Sequence, residues 1–168
     1  MAKVRSTLMR SNRRLGAALV ENNLVDITDL ETANEKLLDL VAEGINRRSS
    51  ILSLLVWEMS ALEERKLIEF QNEDLKVPPV DLERVEIDDE LYKDFDPKVL
   101  WATWTLPFNK VDGFYCLASC YYLSPAAREF WEQELDGKLL WYVSPMMTLA
   151  DKIEAIQKDF EKNNPEED

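Results

Sequence analysis

The chain has 168 residues, 46% of them hydrophobic, enough to bury a real core and to exclude global disorder. It contains no histidine and carries a net charge of -13. Those facts remove Ser-His-Asp and Cys-His catalysis, remove most zinc chemistry, and set the acidic body against nucleic acid.

The charge is uneven. Residues 1–20 hold Lys3, Arg5, Arg10, Arg13 and Arg14 and no acid, so residues 1–11 read as a basic N-terminal arm that could receive an anion or an acidic partner. The spacing of Leu15, Leu19 and Val20 predicts a first helix, with Ser11-Asn12 as its cap and Asn22-Asn23 as its end. Thr28 and Glu31 form a capping-box pattern ahead of Leu30, Ala33, Leu37, Leu38 and Val41, and Gly44 closes that second helix. Ser49-Ser50 open a third helix through Leu52, Leu55 and Val56. A fourth runs from about Glu63 to Leu75.

These four helices read as one helical hairpin used twice. A shift of 37 residues lays Leu15 on Leu52, Gly16 on Ser53, Leu19 on Val56, Glu21 on Glu58, Asn23 on Ser60, Val25 on Leu62 and Leu30 on Leu67. Two stacked copies can bury apolar faces that neither buries alone. Residues 12–76 are therefore expected to form a helical repeat subdomain.

Val77-Pro78-Pro79-Val80-Asp81-Leu82 breaks the helical pattern, and residues 77–87 read as a linker. Beyond it, Asp88-Asp89 open a short helix and Asp96-Pro97 another. Thr105-Leu106-Pro107-Phe108 reads as an edge strand, Val111-Asp112-Gly113 as a hairpin turn, and the aromatic run Phe114 to Tyr122 as a strand. Ser124-Pro125 cap a helix, Leu139 to Val143 form a further strand, and Thr148 caps a final amphipathic helix. The expected class is α+β, with the four-helix repeat followed by a small β-α-β-α subdomain over residues 88–162 and an acidic tail over 163–168.

Cys116 and Cys120 on one strand would lie roughly 13 Å apart, too far for a disulfide, so two buried free thiols are expected. Gly137-Lys138 is followed by a leucine and has no upstream glycine, which excludes a P-loop. No apolar run approaches the roughly 18 residues of a membrane span, and no signal-type apolar segment opens the chain. A cytoplasmic location without membrane insertion is expected. Trp57 and Met59 read as core, with a partner anchor as the alternative. Trp101 and Trp104 read as packing at the joint between subdomains.

In order and motif the sequence resembles the N-terminal domain of type II secretion and type IV pilus assembly ATPases, the GspE N-terminal or MshEN family. That family's repeat opens Arg-Leu-Gly, has a glycine at its tenth position and ends in glutamine. Arg14-Leu15-Gly16-x-x-Leu19 matches the opening; Asn23 replaces the glycine and Leu37 the glutamine. The second copy matches at Leu52, Val56, Leu62 and Leu67, with Ile51 for arginine, Ser53 and Ser60 for the glycines, and Asp74 for glutamine. The likeness spans about residues 12 to 162, and the ATPase modules that follow in the family are absent from this sequence.

The resemblance implies a non-enzymatic domain that docks a protein partner of a secretion, pilus or motility machine, without a resident cofactor. It also implies an alternative, because some members bind cyclic di-GMP through the two repeats. The site would then comprise Arg13, Arg14, Leu15, Gly16, Leu19, Leu52 and Val56. Arginine forks to a guanine edge or a phosphate, glycine permits close approach, and helix N-terminal amides favour phosphate. The reading of these residues as scaffold makes Arg14 a surface cation and Gly16 a close helix–helix contact. An enzyme working with carboxylates alone would need a buried, close carboxylate pair in a cleft.

Overall fold

The structure, a computed structural model, describes residues 2–44 and 48–165. The end of the acidic tail, Glu166-Glu167-Asp168, lies outside the described residues. Helix α1 spans Ala2–Glu21 and α2 spans Ile27–Glu43. Helix α3 is a single turn, Ile51–Ser53, that continues through Leu54–Glu58 with π winding. Helix α4, Glu64–Glu69, likewise continues as a π turn through Phe70–Asp74. A 3-10 turn at Asp89–Leu91 and helix α5, Pro97–Thr103, lead into strands β1 (Thr105–Val111) and β2 (Phe114–Ser119). Helix α6 (Pro125–Glu134), strand β3 (Lys138–Val143) and helix α7 (Met146–Asn163) complete the α+β chain.

The 37-residue repeat is visible in the backbone. Asn23 and Ser60, equivalent under the shift, both take the left-handed conformation, with φ of 58° and 51°. This is the position where the family motif carries glycine; asparagine tolerates it through its short polar side chain. Asp26 and Glu63, also equivalent, both stand in extended conformation just before the second helix of each hairpin. The apolar residue before each cap and the fourth residue of each helix, Val25 with Leu30 and Leu62 with Leu67, are buried as a hydrophobic staple requires.

Several local expectations fail for tertiary reasons. Residues 2–11 are not a separate arm: α1 starts at Ala2, and Leu8, Ser11 and Asn12 are buried. Ser11 and Asn12 therefore lie inside a helix rather than capping one. Helix α2 begins one residue before Thr28, behind Asp26, so no Thr28–Glu31 box forms. Helix α7 begins at Met146, two residues before Thr148. Its first amide donates to the Glu64 carboxylate at 3.4 Å, a cap supplied by a distant helix.

Other local signals hold. Ser50 caps α3, and Ser50 and Ser53 exchange reciprocal bonds of 2.9 Å. Gly44 ends α2 at φ 112°, which a residue with a β-carbon would resist. Asp112 (φ 52°) and Gly113 (φ 84°) make the hairpin turn.

The sheet order is β1-β2-β3, with β1 antiparallel to β2 and β2 parallel to β3. Pro107 is tolerated because β1 is an edge strand. Strand β2 stops at Ser119, short of Tyr122. The Ser119 hydroxyl accepts the Tyr121 N–H at 2.9 Å and bonds the Thr105 hydroxyl at 2.8 Å, turning the chain off the ladder. Cys120 thus sits beyond the strand and gives its thiol to the Ser144 carbonyl; both cysteines are buried and free.

Segment 77–87 marks a change of secondary structure but not a break in the core. Pro79 pairs with Val143 as a one-bridge extension of the sheet. One apolar cluster runs from Leu15, Leu19 and Leu52 through Trp101 and Trp104 to Leu117, Trp131 and Ile153. Helix α1 is the shared element: it packs on α2 and α3 on one side and on α5 and α6 on the other.

Candidate functional site

The stretch Arg13-Arg14-Leu15-Gly16 lies deep within α1, more than two turns from its start. Its amides are therefore spent inside the helix, and the expected phosphate-binding helix N-terminus is not formed at Arg14. The helix sorts the residues by face. Arg13 and Arg14 project outward and are exposed, while Leu15 and Leu19 are completely buried. Neither arginine pairs with another side chain among the described residues. Gly16 is buried and faces Leu30 of α2. A β-carbon there would come within 2.6 Å of the Leu30 side chain, so glycine sets the distance between the helices.

The second copy supplies Leu52, fully buried, and Val56, half-buried. The structure brings Leu15, Leu19 and Leu52 into the apolar cluster, with Val56 packed at its margin. Arg13 and Arg14 stay on the outer face of α1. Ile51, which stands where the first copy has Arg14, is fully buried as the first residue of α3. The copies diverge here because α1 is prolonged at its N-terminus while α3 is not. Trp57 is 39% exposed, against its reading as core, yet its ring meets Trp104 edge-on at 6.0 Å. Met59 is half-buried.

Asn12, read from sequence as a cap, is instead a buried hub between the two halves. Its carbonyl oxygen accepts the Ile51 N–H at 2.8 Å and the Tyr121 hydroxyl at 2.6 Å; its amide donates to the Leu8 carbonyl at 2.8 Å. Ile51 is an α3 residue whose N–H has no partner within its own helix. Burial pushes the Tyr121 phenol far up, partly offset by the Ser50 side chain and the Leu52 backbone. Next to this hub, the Ser124 hydroxyl donates to the Ser11 carbonyl at 2.8 Å. Only the proximity of residues 12, 51 and 121 reveals the role. The one sequence signal was two small polar residues, Ser11 and Asn12, within an apolar helix.

Three surface grooves lie away from Arg14. One, of about 400 Å³, is lined by Asp89, Tyr92, Lys93 and Asp159 among others. A second, of about 540 Å³, lies between α6 and the start of β3. A third, of about 180 Å³, runs between the start of α1 and α6. Among the described carboxyls, burial pushes Glu64 up, with the Met146 N–H working against the shift. Its geometry is that of a cap on α7. Asp89 and Asp159 in the first groove are exposed, and among the described residues no cluster of His, Cys, Asp or Glu is arranged to hold a metal ion.

The helices and the three-stranded mixed sheet make an α+β fold that matches that of the N-terminal domain of XpsE. Among solved structures, the chain is similar to the N-terminal domain of XpsE, at TM-score 0.54 and 22% identity over 86% of this chain and 94% of that one. A second crystal form of that domain gives 0.53 and 23% over 84% and 93%. It is also similar to MshE solved with cyclic di-GMP, at 0.51 and 22% over 84% and 97%. No family model matches the sequence, and no curated protein matches it.

Proposed function

We propose that this chain is a non-enzymatic interaction domain that docks a protein partner of a secretion, pilus or motility machine. The observation that carries the reading is the fold, similar over 84–86% of the chain to XpsE and MshE domains. The surface agrees with it: the exposed arginines sit on a helix packed on its other faces. The test is affinity capture from a native lysate with the chain immobilised. A specific secretion or pilus component in the eluate is the expected result; an eluate with no specific protein overturns the reading.

A second reading has its own support in MshE, which was solved with cyclic di-GMP. In this reading Arg13 and Arg14 bind the phosphates or guanine edges of cyclic di-GMP, with Leu15, Gly16, Leu19, Leu52 and Val56 beneath them. The guanidinium groups of Arg13 and Arg14, unpaired among the described residues, favour it. The complete burial of Leu15, Leu19 and Leu52 weighs against it, because a base could reach them only if the helices part. Calorimetric titration with cyclic di-GMP, with GTP and cyclic di-AMP as controls, decides. Selective heat that disappears in a folded Arg14→Ala variant supports the site; no heat, or unchanged affinity in that variant, removes it.

A further inference from the structure

The outer edge of β3 is open, and its direction can be read from its neighbours. The Val143 N–H donates to the Pro78 carbonyl at 2.9 Å, and the Val80 N–H donates to the Val143 carbonyl at 2.9 Å, so Val143 directs its backbone away from β2. The Ser144 N–H points the other way, to Ser119. Alternation along a strand then turns the N–H and C=O groups of Leu139 and Trp141 outward, like those of Val143. Among the described residues, Pro79 with Val143 is the one bridge on this edge. The chain that could have continued the pairing leaves the sheet instead: Lys76 is left-handed at φ 60°, and the Val77 N–H turns back to Gln71.

The 540 Å³ groove between α6 and the start of β3 is lined by Leu139 and Trp141 of this edge strand and by Phe114 of β2. Its walls include the Trp141 and Tyr122 rings, which meet edge-on at 5.9 Å. Arg128 lies over the Tyr122 ring at 5.0 Å, with a buried Nε that has no hydrogen-bond partner among the described residues. Lys138 lies over the Phe114 ring at 5.6 Å. Glu132 is the one carboxylate among the lining residues, so the groove is cationic on a molecule of net charge -13.

We propose that the groove between β3 and α6 receives an extended, acidic segment of a partner protein, which adds to the sheet as a strand beside Leu139 and Trp141. Backbone pairing supplies affinity, Trp141 and Tyr122 hold an apolar side chain, and Arg128 and Lys138 take the acidic ones. The inference rests on reading the chain as a protein-docking domain and names the surface that docks.

The probe is a short synthetic peptide alternating valine and glutamate, followed by amide proton–nitrogen correlation spectra and by fluorescence anisotropy. The expected shifts centre on Leu139, Trp141 and Arg128. Removing the charge of Arg128 and reversing that of Lys138 in Arg128→Gln/Lys138→Glu should weaken binding at least roughly tenfold, as the loss of two charge pairs implies. Two peptides N-methylated on alternate amides, in opposite registers, leave the protein untouched; one should bind and the other should not. Equal binding of a valine–lysine peptide, indifference to both methylated forms, or shifts that avoid β3 would overturn the proposal. So would sedimentation showing that the edge is covered by a second copy of the chain. A captured machine component whose binding survives Arg128→Gln/Lys138→Glu sinks the groove while leaving the docking reading intact.

Discussion

Replacing Asn12 by alanine removes an acceptor shared by two buried donors, the Ile51 N–H and the Tyr121 hydroxyl. Each buried donor left without a partner costs about 1–3 kcal/mol, and the lost Leu8 bond adds a smaller amount. The Tyr121 oxygen retains the Ser50 and Leu52 donors, so its loss falls at the low end. The expected total for Asn12→Ala is about 3–5 kcal/mol, a large part of the ~5–15 kcal/mol that stabilises a typical domain. Tyr121→Phe leaves Asn12 bonded to Ile51 but strips the buried Ser50 and Leu52 donors of the phenol oxygen, so it should cost about 2–4 kcal/mol. Urea denaturation followed by tryptophan fluorescence measures both, with the slope checked for constancy. The double variant should cost less than the sum of the two, because both act on one network. A cost below about 1 kcal/mol for Asn12→Ala, or strict additivity in the cycle, would refute the hub.

Three further outcomes test other parts of the structure. Gly16→Val drives a branched side chain into Leu30 and should destabilise by about 1–3 kcal/mol despite better helix propensity; an unchanged or higher melting temperature would mean that the α1–α2 contact is looser than described. Glu64 holds its proton more tightly folded than unfolded, so its contribution to stability is fully present below the ordinary carboxylate range and is lost as pH rises through its raised pKa. Glu64→Gln, which keeps an acceptor for Met146, should therefore gain stability relative to the parent as pH rises, and parallel melting curves across pH would contradict this. Arg48 bridges Glu154 and Asp151 of α7, the latter at 3.0 Å, and these partners hold its pKa up. Arg48→Gln should cost less than about 1 kcal/mol, with the difference fading in high salt; a difference that persists in salt would point to packing instead.

Several local signals in the sequence were read correctly where the deciding atoms lie within a few residues of one another, although the Thr28–Glu31 box was not among them. Ser50 opens α3, Gly44 ends α2, and Asp112-Gly113 turns the hairpin, because each depends on the backbone angles or the reach of a short side chain. The 37-residue repeat belongs to the same class: its leucines fix which helix face is buried, and Asn23 and Ser60 occupy matching left-handed turns. The spacing of Cys116 and Cys120 likewise anticipated two free buried thiols, although β2 stops at Ser119 and leaves Cys120 beyond the strand.

Tertiary structure decided what spacing could not. Residues 2–11 are helical because the prolonged α1 finds α5 and α6 to pack against, partners far away in sequence. Asn12 changed from a cap to a hub because Ile51 and Tyr121 arrive beside it. The start of α7 moved to Met146 because Glu64, from another helix, meets its first amide. The candidate site divided in the same way: sequence could place Arg14, Leu15 and Gly16 in one motif, but a helix assigns neighbours to different faces. Packing on α2 and α3 buried the leucine and the glycine and left the arginine in solvent, since burying an unpaired guanidinium costs far more than exposing it.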